Sequence, residues 1–226
     1  MREHNYHCVA IIPIKASSKR VVGKNFRPLG GKPLFEHMLE TALQSRMDAV
    51  FVNTDSPVVK ARARAVGAEV IDRPEYLTRD TANGNDLLVY EAGLVRADIY
   101  VQVFATAPFL QSQTIRRSVD ILETQAAHDS VLTVTRMYSW FWFQGQPVNY
   151  DPLVLPRSQD AQPIIRETTG LYAIRRQALM QHRCRIGAHP YLLEVDEQEG
   201  LDIDTEFDFQ VAELIMQKRL APAHGH

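Results

Sequence analysis

"CVAIIPIKASSKRVVGKN", residues 8–25, runs from an unbroken apolar segment straight into a stretch with four cations and two adjacent serines. The segment "CVAIIPI" lacks polar alternation, so it reads as a strand covered on both faces, the kind found inside parallel sheets. After the loop, "KPLFEHMLETALQS" (residues 32–45) sets Leu34, Phe35, Met38, Leu39, Ala42 and Leu43 at helical spacing. The opening unit is therefore strand, long loop, helix, and the unit recurs. "AVFVNT" predicts a second strand, and Ser56 and Pro57 suit the N-cap and first position of a helix that Gly67 stops. "AEVID" supplies a third strand. Further on, "NDLLVYEAGLVRA" reads as a helix, "DIYVQVF" as extended, "SQTIRRSVDILET" as a helix capped by Ser112, and "SVLTVT" as a strand. Alternation of this kind predicts an α/β fold with a mainly parallel sheet and helices on both faces. Ligands of such sheets sit beyond the carboxyl ends of the strands. The loop after the first strand, the segment after Asp72 and the segment after Phe104 should therefore converge.

Residues 136–168 break the rhythm. "YSWFWFQGQPVNY" predicts a hairpin arm turning at Gln144 to Pro147, with Trp140 and Trp142 on one face and Phe141 and Phe143 on the other. A strand aromatic on both faces suggests one face on its own domain and the other on a partner subunit; a hairpin folded wholly onto its own core is the alternative. Regular structure resumes with "TGLYAIRRQALMQH" and "PYLLEV". A last helix begins at Thr205, with Asp208 completing a variant capping box. The whole chain, residues 1–226, fits a single domain.

Composition narrows the function. Lys plus Arg number 25 and Asp plus Glu 27, a balance that argues against a general nucleic-acid or membrane-surface binder. Cys8 and Cys184 stand far apart without ligand spacing, so no disulfide framework or zinc site is expected. "MREHNYHC" is polar and leads into an apolar run too short for a signal peptide or a membrane span, so a cytoplasmic protein is expected.

Two clusters carry chemistry. Lys15, Lys19, Arg20 and Lys24 lie between the first strand and the first helix, where a phosphate chain is the natural guest. Ser17 and Ser18 add hydroxyl donors. GxxxxGK[ST] and GxGxxG are both absent, which sets this loop apart from the commonest phosphate loops. Near the other end, "GLDIDTEFDF" (residues 200–209) would, if extended, hold Asp202 and Asp204 on one face and Leu201 and Ile203 on the other. Adjacent carboxylates repel, and bound Mg²⁺ relieves that repulsion. The simpler reading, Asp204 as a residue preceding a helix cap, leaves Asp202 unexplained. A lysine-rich loop with a carboxylate pair fits metal-assisted phosphoryl or nucleotidyl transfer.

"IIPIKASSKRVVGKN", "PLGGKPLFEH", "NTD", "RPEYLTRDTAN", "ATAP" and "LDIDTEFDF" follow one another along nearly the whole chain. In that order they resemble the cytidylyltransferases that make CMP-activated acidic sugars, above all the acylneuraminate (sialic acid type) synthetases. The resemblance implies a Rossmann-like sheet and a homodimer whose protruding β-hairpin arm completes the neighbour's site. It also implies Mg²⁺ as cofactor, and CTP and a 2-keto-3-deoxy acid sugar as substrates. On the same basis Lys15 and Lys19 would hold the triphosphate, Ser18, Lys24 and Asn25 would complete the loop, and Arg73 would help bind cytosine. Lys19, Asp202 and Asp204 would be catalytic, the two aspartates as metal ligands. Phe104 replaces a glutamine usual in the family, with Gln102 on the same strand face as an alternative. Lys15 replaces an arginine and loses its planar fork. Arg157 and Gln159 are candidates for the sugar carboxylate, and Thr106 and Tyr172 for its hydroxyls. The acceptor stays open among sialic acid, another nine-carbon acidic sugar and the eight-carbon acid of lipopolysaccharide. A nucleotidyltransferase using another NTP, or a nucleotide-binding module without turnover, are the competing readings.

Overall fold

A computed structural model of the chain describes residues 5–18, 21–154 and 156–221. Seven strands form the main sheet: β1 (Asn5–Ile14), β2 (Ala49–Thr54), β3 (Glu69–Asp72), β4 (Arg96–Val103), β5 (Ser130–Met137), β6 (Ile164–Arg175) and β7 (Pro190–Glu194). Their spatial order is β7-β5-β6-β4-β1-β2-β3. Only β6 runs antiparallel to its neighbours, pairing Tyr172 with Gln102 of β4 and with Leu132 of β5. Residues 138–163 link β5 to β6 as an excursion, so the chain can return beside β5 in the opposite direction.

The apolar opening run lies at the centre. Val9, Ala10, Ile11 and Ile12 of β1 are fully buried. Helices α1 (Leu34–Leu43), α2 (Pro57–Ala65) and α4 (Ser112–Thr124) cover one face, where Phe35, Met38, Val59, Ile115 and Val119 pack with Ala10, Ile12 and Ile14. Helices α3 (Gly84–Leu94) and α5 (Arg176–His182) cover the other, where Leu88, Ala92 and Leu179 meet Val9, Ile11 and Phe51. Both faces of β1 are thus dry, as its lack of alternation requires. The fold is the Rossmann-like, mainly parallel α/β sheet expected.

Local signals decide the helix ends. Ser56 accepts a hydrogen bond from Val59 N at 3.4 Å ahead of Pro57. At α6 (Glu206–Leu220), Thr205 and Asp208 form the reciprocal capping box, with Thr205 N donating to Asp208 Oδ2 at 2.7 Å. Ser112 is not the cap of α4. It is the first helical residue, and the cap position belongs to Gln111. There the Glu199 carboxylate, 88 residues away, accepts from Gln111 N at 3.0 Å and does the work a capping side chain would do.

In the arm, Trp142–Phe143 pairs with Gln146–Pro147 across Gln144 and Gly145, both at positive φ, as two-residue hairpin turns demand. Trp140 and Trp142 share one face as predicted, both with ring centroids near Tyr150, at 5.7 and 6.3 Å. Asn149 pins the base of the arm, donating to Ser139 O and Gln162 O at 2.7 and 2.6 Å.

Candidate active site

The strand order reverses between β1 and β4, and the crevice beyond their carboxyl ends is where such sheets bind ligands. The loop after β1 is tied to itself before any ligand arrives. Ser18 Oγ donates to Val21 O at 2.5 Å and accepts from Lys24 N at 3.1 Å, while Asn25 Nδ2 donates to Lys15 O at 2.9 Å. Gly23 takes a positive φ to make the bend that turns Lys24 inward. Lys15 Nζ lies 3.4 Å from Asp80 Oδ1. Lys19 and Arg20 fall outside the described residues.

Lys15, Ser18, Lys24, Asn25, Arg73 and Thr106 line one cavity of about 540 Å³. A second, about 300 Å³, is lined by Lys24, Phe104, Thr106, Thr169, Arg185, Asp202 and Asp204. Lys24, Phe104 and Thr106 belong to both, so the two cavities adjoin. The cationic loop from the start of the chain and the carboxylate pair from its end therefore open on one crevice.

Residues 201–204 join no sheet, yet the alternation predicted for them holds. Ile203 is fully buried among Leu29, Leu34, Phe109 and Phe209, and its N donates to Thr106 O at 2.8 Å. That anchorage sends the flanking aspartates to the cavity. Thr169, at a bulge in β6 with φ 58°, donates its hydroxyl to Asp202 Oδ2. Asp202 Oδ1 is buried without a hydrogen-bond partner among the described residues. Burial pushes the Asp202 carboxyl above the ordinary range, with Asp204 adding to the rise and the Thr106 and Thr169 hydroxyls opposing it. An orphaned carboxylate oxygen beside a second carboxylate fits a hard divalent cation. No cluster of three or more metal-binding side chains exists among the described residues. Mg²⁺ at such a pair would keep waters and take its remaining oxygens from phosphates.

Arg73 is buried just past β3. Its Nε donates to Asn53 Oδ1 at 3.0 Å, and a terminal nitrogen donates to Asn53 O at 2.9 Å. Asn53 in turn donates to fully buried Glu91 at 2.6 Å, and burial raises the Glu91 carboxyl to about 7. Gln102 belongs to this buried layer. It is fully buried, donates to Gly84 O at 3.1 Å and lines neither cavity. Tyr172 is also fully buried; its hydroxyl donates to Glu167, and burial followed by that carboxylate raises its pKa. Arg157 and Gln159 sit on the arm, Arg157 paired with Asp160 at 2.6 Å, and neither lines the cavities of its own chain. Thr169, Asn53, Glu91 and Arg185 carry site geometry that sequence reasoning did not single out. Asn53 lies in "NTD", one of the stretches that carry the family resemblance.

A lysine loop and a carboxylate pair facing one crevice at a topological reversal define a nucleotidyltransferase-type α/β site. The chain belongs to the cytidylyltransferase family, whose family model matches residues 9–223. It is 27% identical over 222 residues to N-acylneuraminate cytidylyltransferase A of Danio rerio, covering 94% of this chain and 51% of that protein. It is 31% identical over 225 residues to CMP-N,N'-diacetyllegionaminic acid synthase of Legionella pneumophila, covering 92% of this chain and 96% of that protein. The chain spans about half the length of the N-acylneuraminate relatives it matches. A solved structure of CMP:2-keto-3-deoxy-manno-octonic acid synthetase complexed with CTP shares the fold, with TM-score 0.70 and 22% identity over 95% of this chain and 100% of that one.

Proposed function

We propose that the chain transfers CMP from CTP to an acidic 2-keto-3-deoxy sugar of the nonulosonic class, releasing pyrophosphate in a Mg²⁺-dependent reaction. The observation that carries this reading is the adjoining pair of cavities, one walled by Lys15, Ser18, Lys24 and Asn25, the other by Asp202 and Asp204. The names of the N-acylneuraminate and legionaminic acid relatives support a nine-carbon acceptor.

In this reading Lys15 and Lys24 neutralise the triphosphate, with Lys19 in the same loop, while Arg73, fixed by Asn53, addresses the base. Asp202 and Asp204 would hold Mg²⁺, which supplies charge neutralisation at the phosphates and leaving group. Thr106, which lines both cavities, would face the α-phosphate and the acceptor. The anomeric hydroxyl of the sugar forms the new bond to the α-phosphorus and gives its proton to solvent water. The bond from that phosphorus to the bridging oxygen breaks, and pyrophosphate leaves. The chain's contribution is mainly positioning and fixed charge. The exposed aromatic arm, carrying Arg157 and Gln159, would complete the site of a second copy in a homodimer.

The test is pyrophosphate release with each of the four NTPs and a panel of acidic sugars that includes sialic acid, a legionaminic acid and the eight-carbon acid. Release with CTP and a nine-carbon acid supports the proposal. Release only with another NTP, or none with any acceptor, refutes it.

A further inference from the structure

The smaller cavity contains one arginine that motif reading passed over. Arg185 lies in the turn after α5 and lines the cavity with Asp202, Asp204, Thr106 and Thr169. Three contacts fix it. Its backbone N donates to Asn85 Oδ1 at 3.0 Å. Its guanidinium stacks on the Tyr172 ring, 3.6 Å from the centroid, and lies 5.5 Å from the Phe104 ring. Phe104 meets Tyr172 edge-on with centroids 6.2 Å apart, so the two rings brace each other under the cation. Gly84 leaves the necessary room, since a Cβ there would fall 2.4 Å from Arg185 Nη1.

The guanidinium is positioned but has donors to spare. Its nearest carboxylate is Glu167, at 3.8 Å, and its side chain makes no hydrogen bond among the described residues. A planar fork of N–H groups held by stacking, with donors unspent, is built for a bidentate carboxylate. The acceptor's own chemistry says where such a reader must stand. In a 2-keto-3-deoxy acid the carboxylate and the anomeric hydroxyl share one carbon, so whatever reads the carboxylate lies beside the reacting oxygen. Arg157 and Gln159 do not reach the cavity of their own chain. An anion entering a space walled by Asp202, Asp204 and nearby Glu167 also needs a compensating cation.

We propose that Arg185 is the specificity-determining residue that receives the acceptor's carboxylate, an assignment that rests on the acidic-sugar reading above. Phe104 serves as part of the aromatic bed that keeps the guanidinium flat.

Steady-state kinetics of the full chain with CTP and Mg²⁺, followed by pyrophosphate release, test this with the preferred acidic sugar and its methyl ester. Arg185→Met should raise the acceptor KM by more than about tenfold while the CTP KM stays within about twofold. Arg185→Lys should recover part of the loss. The methyl ester should be a poor acceptor for the unaltered protein and no poorer for Arg185→Met. Gly84→Ala, which pushes the guanidinium aside without removing it, should raise the acceptor KM in the same direction and provides the test if Arg185→Met does not fold. An acceptor KM unchanged in Arg185→Met or Gly84→Ala, or an equal penalty for acid and ester, overturns the role of Arg185 and leaves cytidylyl transfer standing. No turnover by the unaltered protein with any acidic sugar overturns both.

Discussion

Lys24 Nζ lies 3.6 Å from Asp204 Oδ1 and also donates a hydrogen bond to Ile203 O, joining the first loop of the chain to its last one. This buried cation is shared by both cavities. It ties the residues proposed to hold phosphate to those proposed to hold Mg²⁺.

Replacing Lys24 by Met should therefore damage both functions at once. The Ile203 carbonyl loses its side-chain donor, at a cost of roughly 1–3 kcal/mol of stability, and turnover should fall by more than about 100-fold. Urea unfolding and pyrophosphate release measure the two. A variant as stable and active as the unaltered chain would show that the junction is incidental.

Asp204→Asn should separate chemistry from folding. The Asp204 side chain is 41% exposed, and the capping box beneath it uses Asp204 N and Thr205 rather than the Asp204 carboxylate. The variant should melt within a few degrees of the parent while losing turnover and Mg²⁺ dependence. Retained activity would refute the metal assignment.

Glu91 predicts an unusual pH profile of stability. Its carboxyl is raised from 4.5 to about 7 by burial, with Asn53, Arg73 and Gln102 as neighbours that partly oppose the rise. The folded state thus holds a proton that the unfolded state has already released between those values. Stability should fall by roughly 3 kcal/mol as pH rises from about 4.5 to 7 on this account, and level off above. Glu91 Oε2 and Gln102 Oε1 are both buried without a hydrogen-bond partner among the described residues. Glu91→Gln should lose the part of the slope that Glu91 contributes over that window and be more stable than the parent at pH 8. Parallel pH curves for the two proteins would contradict this.

The arm leaves Trp142, Phe143, Val148, Leu153 and Val154 exposed. Such a patch predicts self-association, and sedimentation should show a dimer that Phe143→Asp shifts toward monomer. A monomer at all concentrations would remove the arm from the account.

Much of this was legible because it depends on local pattern. The apolar run of β1, the alternation that turns Asp202 and Asp204 one way and Ile203 the other, and the pairing of Thr205 with Asp208 are all encoded within a few residues. So is the shared face of Trp140 and Trp142. What failed depends on distant partners. Ser112 looked like a cap, but Glu199 had taken over the helix start. Alternation along β4 likewise says nothing about depth: Gln102 is fully buried and donates to Gly84 O at the start of α3. Arg185 sits in no periodic element. Its place is set by Asn85, Gly84 and Tyr172, which meet only in the folded chain.

The central claim is that lysines from the first loop and carboxylates from the last form one Mg²⁺-CTP site. Calorimetric titration of CTP, with and without Mg²⁺, into the unaltered chain and into Asp202→Asn/Asp204→Asn addresses it most directly. The account predicts that Mg²⁺ tightens CTP binding by at least about tenfold in the first and not in the second, with metal-free binding similar in both. CTP binding that ignores Mg²⁺ in the unaltered chain, or a Mg²⁺ effect that survives loss of both carboxylates, would contradict it.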